Sequence, residues 1–326
     1  MKAIKFFAIS AMAAAMITSC SSEDELSQSN YPSDNIVRVT AGVNNAKTRA
    51  EGAGTEMKND FSLTIVNKNA PKYTYTDKVF SKKSGDWACS ETLLWQKSDA
   101  LVDIVAFAPA QTGKFNGVYA NGSIQPIAYS VAKDQTTADD KNDLLYYYAK
   151  DFNPGESLDK GKLNIQFNHA FCMIDINVTL GTEFNKPEVL KESPIVKVTL
   201  GGTKIAANVD VTKTASVVTV SETDAATDIT TTKGSFDKAA NAEANAKSHF
   251  SCIAIPQTVG ANTFKVSLMT AGKRYEWTSD KEITLQSGYR YTLNLSMGND
   301  VVLLKGGSIS ATPWTEITSD KPLETD

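Results

Sequence analysis

Short runs of alternating apolar and polar residues, set apart by turn residues, recur along this chain and constrain its fold more than any other feature. They fall at 36–43, 61–66, 73–80, 101–108, 144–149, 163–167, 172–180, 195–200, 217–220, 250–255, 264–269, 274–278, 291–297 and 308–314. Val, Ile, Thr, Tyr and Phe dominate them, as suits a pleated and half-buried surface. A side-chain period of two identifies strands. In 36–43 it puts Val37, Val39, Ala41 and Val43 on one face, beginning from Ile36. No long stretch carries the helical period, and only the Ala-rich segment 237–247 is expected to form one short helix. About fourteen short strands separated by turns predict an all-β chain of two seven-stranded antiparallel β-sandwich domains in tandem. With 326 residues and 41% hydrophobic content, the chain can supply two cores. The Asp-, Asn-, Pro- and Gly-rich stretch 151–161 places the divide, giving domains at 36–165 and 166–326. The Thr-rich run 212–232 is expected to form exposed hairpins.

Composition removes several functions. A formal net charge of -4 is wrong for a strongly basic nucleic-acid binder. The only histidines are His169 and His249, so acid–base and metal-binding groups are few. Each leads into an apolar run, where a histidine at a strand start bonding to backbone is expected. The sequence has no G-x-S-x-G elbow, H-E-x-x-H, P-loop or G-x-G-x-x-G. No enzyme activity and no cofactor are expected. Asp139, Asp140, Asn142 and Asp143 supply oxygens but lack EF-hand spacing, so a solvated loop is expected there instead of a calcium site. Tyr146, Tyr147 and Tyr148 sit in one strand run and must alternate between faces, which favours packing over a sugar-stacking platform. Beyond Cys20, the cysteines are Cys89, Cys172 and Cys252. Three thiols cannot all pair internally.

The N-terminus reads as an export segment. Lys2 and Lys5 precede an apolar stretch over 6–17, too short to span a bilayer and suited to a signal peptide over 1–19. Ile17-Thr18-Ser19-Cys20 resembles a bacterial lipobox. That likeness implies cleavage before Cys20, diacylation of its thiol, and a lipidated tether over 20–35. The acidic Glu23-Asp24-Glu25 resembles the signal that carries Bacteroides-type lipoproteins to the outer face of the outer membrane. More than one acyl chain is needed for stable anchoring, and a lipoprotein cysteine provides them.

Several segments, in order, resemble the fimbrillin family of Bacteroidales, the subunits of type V pili. They are Trp95-x-x-x-Asp99-Ala100, then 102–108 running into Pro109, then Asp143-Leu144-Leu145-Tyr146 and Phe167-Asn168-His169-Ala170. Ala254-Ile255-Pro256-Gln257, the run 288–295 and a final Ile309 before Trp314 complete the pattern. The resemblance implies transthyretin-like sandwiches and a surface pilus subunit serving adhesion or biofilm. It also implies a mode of assembly. A trypsin-like protease cuts after an arginine, here Arg49 before Ala50, and removes an N-terminal strand, here Ile36, Val37, Val39, Ala41 and Val43 with their neighbours. A C-terminal strand of another fimbrillin-type subunit fills the vacated groove, and Ile309 and Trp314 mark the donor candidate here. The implied location is the outer-membrane surface and the fimbria. The alternative is a permanently anchored surface lipoprotein that binds glycans or host ligands.

Overall fold

Alternation in the sequence becomes alternation in burial. Along the strand Cys172–Leu180, every second side chain is buried and those between are half-exposed. The computed structural model describes residues 30–44, 55–299, 301–304 and 309–314. Its strands are numbered along the chain, β1 to β25.

An eight-stranded sheet runs in the order β2-β1-β11-β10-β6-β3-β4-β5. Its members are β1 (Arg38–Val43), β2 (Thr55–Glu56), β3 (Phe61–Val66), β4 (Tyr75–Lys83), β5 (Asp86–Cys89), β6 (Val102–Ala108), β10 (Leu145–Phe152) and β11 (Lys162–His169). Its ladders are antiparallel except that β1 lies parallel to β11, from Arg38 opposite Lys162 to Val43 opposite Phe167. A parallel pair requires a long crossover, and strands β2 to β10 provide it. The sheet curls until its ends meet. Ile36 forms a bridge with Leu94, and Trp95 N–H donates to Asn35 O at 2.8 Å.

A six-stranded sheet has the order β17-β18-β12-β23-β24, with β25 also on β23. These are β12 (Cys172–Leu180), β17 (Thr232–Asp237), β18 (Lys247–Ala254), β23 (Tyr289–Met297), β24 (Val302–Leu304) and β25 (Ser310–Pro313). A four-stranded sheet combines β16 (Ile229–Thr230), β13 (Ile195–Gly201), β20 (Lys265–Thr270) and β21 (Arg274–Thr278). A three-stranded sheet joins β15 (Val218–Val220) and β14 (Ala206–Val209) to β9 (Ile127–Ser130). The pairs β7 (Tyr119–Ala120) with β8 (Ser123–Ile124), and β19 (Thr258–Val259) with β22 (Ile283–Thr284), complete the set.

The apolar side chains form two clusters. One includes Val39, Phe61, Trp95, Ile104 and Phe167 inside the curled sheet. The other includes Phe171, Ile174, Leu200, Phe264 and Leu293. Strand β6 is buried on both faces. Its Ile104 and Ala106 enter the first cluster, while Val105 and Phe107 enter the second. Residues between β6 and β10 reach across as well: Phe115 stacks on Phe107 at 4.8 Å, and Gln135 exchanges two hydrogen bonds with the backbone of Ile253.

The expected helix over 237–247 does not form. After β17, Asn241 Oδ1 accepts from Glu243 N–H at 3.0 Å, an Asx turn that competes with helical bonding. The carbonyl of Ala244 is taken by Asn185 Nδ2 at 2.7 Å, while Ala239 and Ala246 are buried in the core. The segment instead serves as the connection between antiparallel neighbours β17 and β18. Strands β5, β9, β14 and β17 carry too few branched side chains to stand out in the sequence, and tertiary pairing makes them.

Candidate functional site

Strand β1 lies between two partners. One side is laddered to β11, and its approach is held by Val37 N–H donating to Leu93 O at 2.9 Å. Val37, Val39 and Val43 are buried, while Ile36 and Ala41 are half-buried. The predicted apolar face therefore points inward at Val37, Val39 and Val43, with Ala41 only partly covered. At the entrance, the Arg38 guanidinium bonds both oxygens of Asp34, at 2.9 and 2.6 Å. That pairing is the largest of the effects holding the Asp34 carboxyl down at about 2. At the exit, Asn44 N–H donates to Phe167 O at 2.8 Å, and Asn44 Nδ2 donates to Asn168 Oδ1 at 2.8 Å. A cavity of about 250 Å³ opens beside Val43, lined also by Met57, Lys58, Asp140 and Asp143. Cys20, Arg49 and Ala50 lie outside the described residues.

The C-terminal end is docked on its own chain. Strand β25 pairs with β23 from Ser310 opposite Thr292 to Pro313 opposite Tyr289. Ile309 is half-buried against the second core. Trp314 is buried, and its ring stacks on His169 with centroids 3.8 Å apart.

The histidines do not bond to backbone at strand starts. His169 is the last residue of β11. Its Nδ1 lies 3.0 Å from Asp143 Oδ1, which fixes the proton on that nitrogen. Its buried Nε2 has no hydrogen-bond partner among the described residues. His249 lies within β18, its Nδ1 2.8 Å from Asn177 Oδ1 and its Nε2 2.8 Å from Asp237 Oδ2. In both cases the neighbouring strand or loop supplies a side-chain oxygen to the imidazole. Sequence spacing gave no sign of the Asp143–His169–Trp314 cluster, because its members are distant in the chain.

The acidic loop is built for structure. Asp139 caps a short 3-10 turn by accepting from Lys141 N–H at 3.0 Å, and Asp143 is engaged by His169. Among the described residues, no group of three or more His, Cys, Asp or Glu is arranged to hold a metal ion. The three tyrosines alternate as expected, with Tyr147 against the first cluster and Tyr146 and Tyr148 against the second. Cys89, Cys172 and Cys252 are free thiols, the last two buried.

The described strands form an all-β chain in which β1 covers an apolar groove. A fimbrillin-like family model matches residues 48–314, so the chain belongs to that family. No curated protein matches this sequence. Solved structures share the fold. A candidate cell adhesion protein from Bacteroides ovatus has a TM-score of 0.62 at 16% identity, over 87% of this chain and 99% of the other. A second, from Bacteroides uniformis, has a TM-score of 0.55 at 14% identity, over 87% and 100%. A fimbrial protein from Bacteroides vulgatus has a TM-score of 0.53 at 15% identity, over 86% and 99%.

Proposed function

We propose that this chain is the structural subunit of a cell-surface pilus, exported as a lipoprotein and polymerised by strand exchange after proteolysis. Family membership supports the pilus role. The observation that carries the mechanism is the seat of β1. It is the first described strand, it lies between β11 on one side and β2 on the other with its approach over 35–37 bonded to the Leu93–Trp95 backbone, and it is joined to the rest of the chain through the segment that contains Arg49.

In this reading residues 1–19 are removed, Cys20 is acylated, and the chain reaches the outer-membrane surface. Its two cores serve as two domains divided near residue 165, with residues such as Phe115, Ile127 and Tyr129 from before the divide packed on the second core. A trypsin-like protease then cuts between Arg49 and Ala50. Arg38 is spared because its backbone belongs to the ladder. Departure of β1 exposes the places of Val37, Val39 and Val43. At about 1.5–3 kcal/mol for each buried valine, the groove loses roughly 5–9 kcal/mol, an upper bound. It also leaves backbone donors and acceptors on β11 unpaired. An extended strand of a neighbouring subunit, from the region of Ile309 and Trp314, restores both by strand addition.

The test is digestion of the purified chain from Ser21 with an arginine-specific protease, read by intact mass and native gel. A single cut after Arg49 followed by a ladder of multimers is expected, and Arg49→Ala should abolish both. A cut chain that stays monomeric would overturn the mechanism and favour an anchored glycan- or host-binding lipoprotein.

A further inference from the structure

Where the chain crosses between the sheets of the second core, it leaves a cavity. Strand β16 pairs with β13 only at Thr199 and Leu200. Thr231 then donates both its N–H and its O–H to Val198 O, at 3.0 and 3.2 Å. From Thr232 onward the chain pairs with β18 in the six-stranded sheet. The first half of β13 is thereby left without a strand on that side. The segment 133–135 walls the gap, because Thr230 N–H donates to Lys133 O and Gln135 N–H donates to Thr230 O, at 2.8 and 2.9 Å. The cavity measures about 310 Å³, at the lower end of the range of small-ligand sites.

The lining combines three kinds of group. Val198 and Phe250 are buried and give it an apolar base, and Val196 beside them is 62% exposed. Lys197 and Lys233 line it, both exposed and neither in an ion pair among the described residues. Asp134 adds a carboxylate. Its Oδ1 accepts from the N–H and O–H of Thr136, at 3.0 and 2.7 Å, which leaves Oδ2 open. Those two bonds, and to a smaller degree the Lys197 charge, hold the carboxyl below its ordinary value. A simple anion would meet the lysines but be repelled by Asp134. A neutral sugar would suit Asp134 but draw nothing from either lysine. A sugar that carries a carboxylate uses all three: the carboxylate meets the lysines, hydroxyls donate to Asp134 Oδ2, and a C–H face rests on Val198 and Phe250. Lysines on an open edge also deter strand pairing, but that role needs neither the Asp134 carboxylate nor the cavity.

We propose that this cavity binds an acidic sugar unit of a glycan, with Lys197 and Lys233 on its carboxylate and Asp134 on its hydroxyls. The site includes no part of β1, β11 or β25, so it stands whether or not the chain polymerises.

Amide NMR spectra of the uncut chain from Ser21 test this, titrated with glucuronic acid, N-acetylneuraminic acid, glucose and acetate. At least one of the two acidic sugars should shift the amides at 134–136, 196–198 and 230–233, with a dissociation constant in the millimolar range that suits a small ligand. Which of them binds more tightly separates a polyuronide from a sialylated glycan. Glucose and acetate should bind about tenfold more weakly or worse. The double variant Lys197→Gln, Lys233→Gln should abolish the shifts. Asp134→Asn keeps the turn to Thr136 but replaces the open acceptor, so it should weaken the acidic sugar about tenfold. Acetate binding as well as the acidic sugars, or tighter binding in Asp134→Asn, would reveal a plain anion pocket and overturns the proposal. Glucose binding equally well overturns it too, as does the absence of shifts at these amides with both acidic sugars.

Discussion

The indole of Trp314 lies flat on the imidazole of His169, with ring centroids 3.8 Å apart. The contact sets the last described residue of the chain on the end of the strand beside β1. At the edge of the imidazole, Asp143 accepts from His169 Nδ1 at 3.0 Å, and the histidine side chain is 2% exposed. Asp143→Ala would strand a buried donor, at a cost of about 1–3 kcal/mol. Asp143→Asn keeps an acceptor oxygen and should cost less. Urea unfolding midpoints of the two variants check the order.

In β1, burial alternates and so should the cost of truncation. Val39→Ala and Val43→Ala each remove two buried methyl groups and should destabilise by about 1–2 kcal/mol. Thr40→Ala, on the exposed face, should stay within about 0.5 kcal/mol. Equal losses at all three positions would show that β1 is not seated as described.

Alkali should unfold the chain through groups that are buried while neutral. Burial is the largest cause pushing the Cys252 thiol up to about 12 and the Tyr129 hydroxyl up to about 12, and it raises Cys172 as well. In the unfolded chain these groups ionise near their ordinary values, so above that point the unfolded state binds fewer protons than the folded one. The stability is fully present below about pH 9 and is lost as pH rises toward about 12. Unfolding midpoints should fall across that window. Thiol labelling of the native protein should reach Cys89 before Cys172 or Cys252.

Two glycines separate backbone strain from steric clash. Gly202 has φ +87, and a Cβ there would lie 2.2 Å from Thr263 O. Gly85 has φ +99 with nothing within 4 Å. Gly85→Ala should cost about 1 kcal/mol from backbone conformation alone, and Gly202→Ala about 2 kcal/mol or more, because the Thr263 backbone must also move. Thermal unfolding of the two variants measures the difference.

Much of this was legible in the sequence. The runs at 61–66, 172–180 and 274–278 coincide with β3, β12 and β21, because alternation of large apolar residues fits only the strand period, although β3 is buried on both faces. The apolar face of β1 was legible for the same reason. The Ala-rich 237–247 segment misled because propensity ignores what a neighbour offers: Asn185 takes the Ala244 carbonyl from outside, and Asn245, within the segment, donates to Leu180 O. Short strands such as β9 and β14 carried no signal of their own, since they exist through pairing, β9 on β14 and β14 on both β9 and β15.

The sequence by itself determined that this chain is of the all-β class and which side of strands such as β1 and β12 is buried, because those properties depend on residues two apart. It also carried the ordered segments that mark its family. Only the tertiary structure decided that β1 runs parallel to β11, that the first sheet curls until Ile36 meets Leu94, and that Asp143, His169 and Trp314 share one seat. Those relationships join residues far apart in the chain. Each such contact has to offset the entropy of closing a long loop onto a particular partner, and no local pattern records which partner that will be.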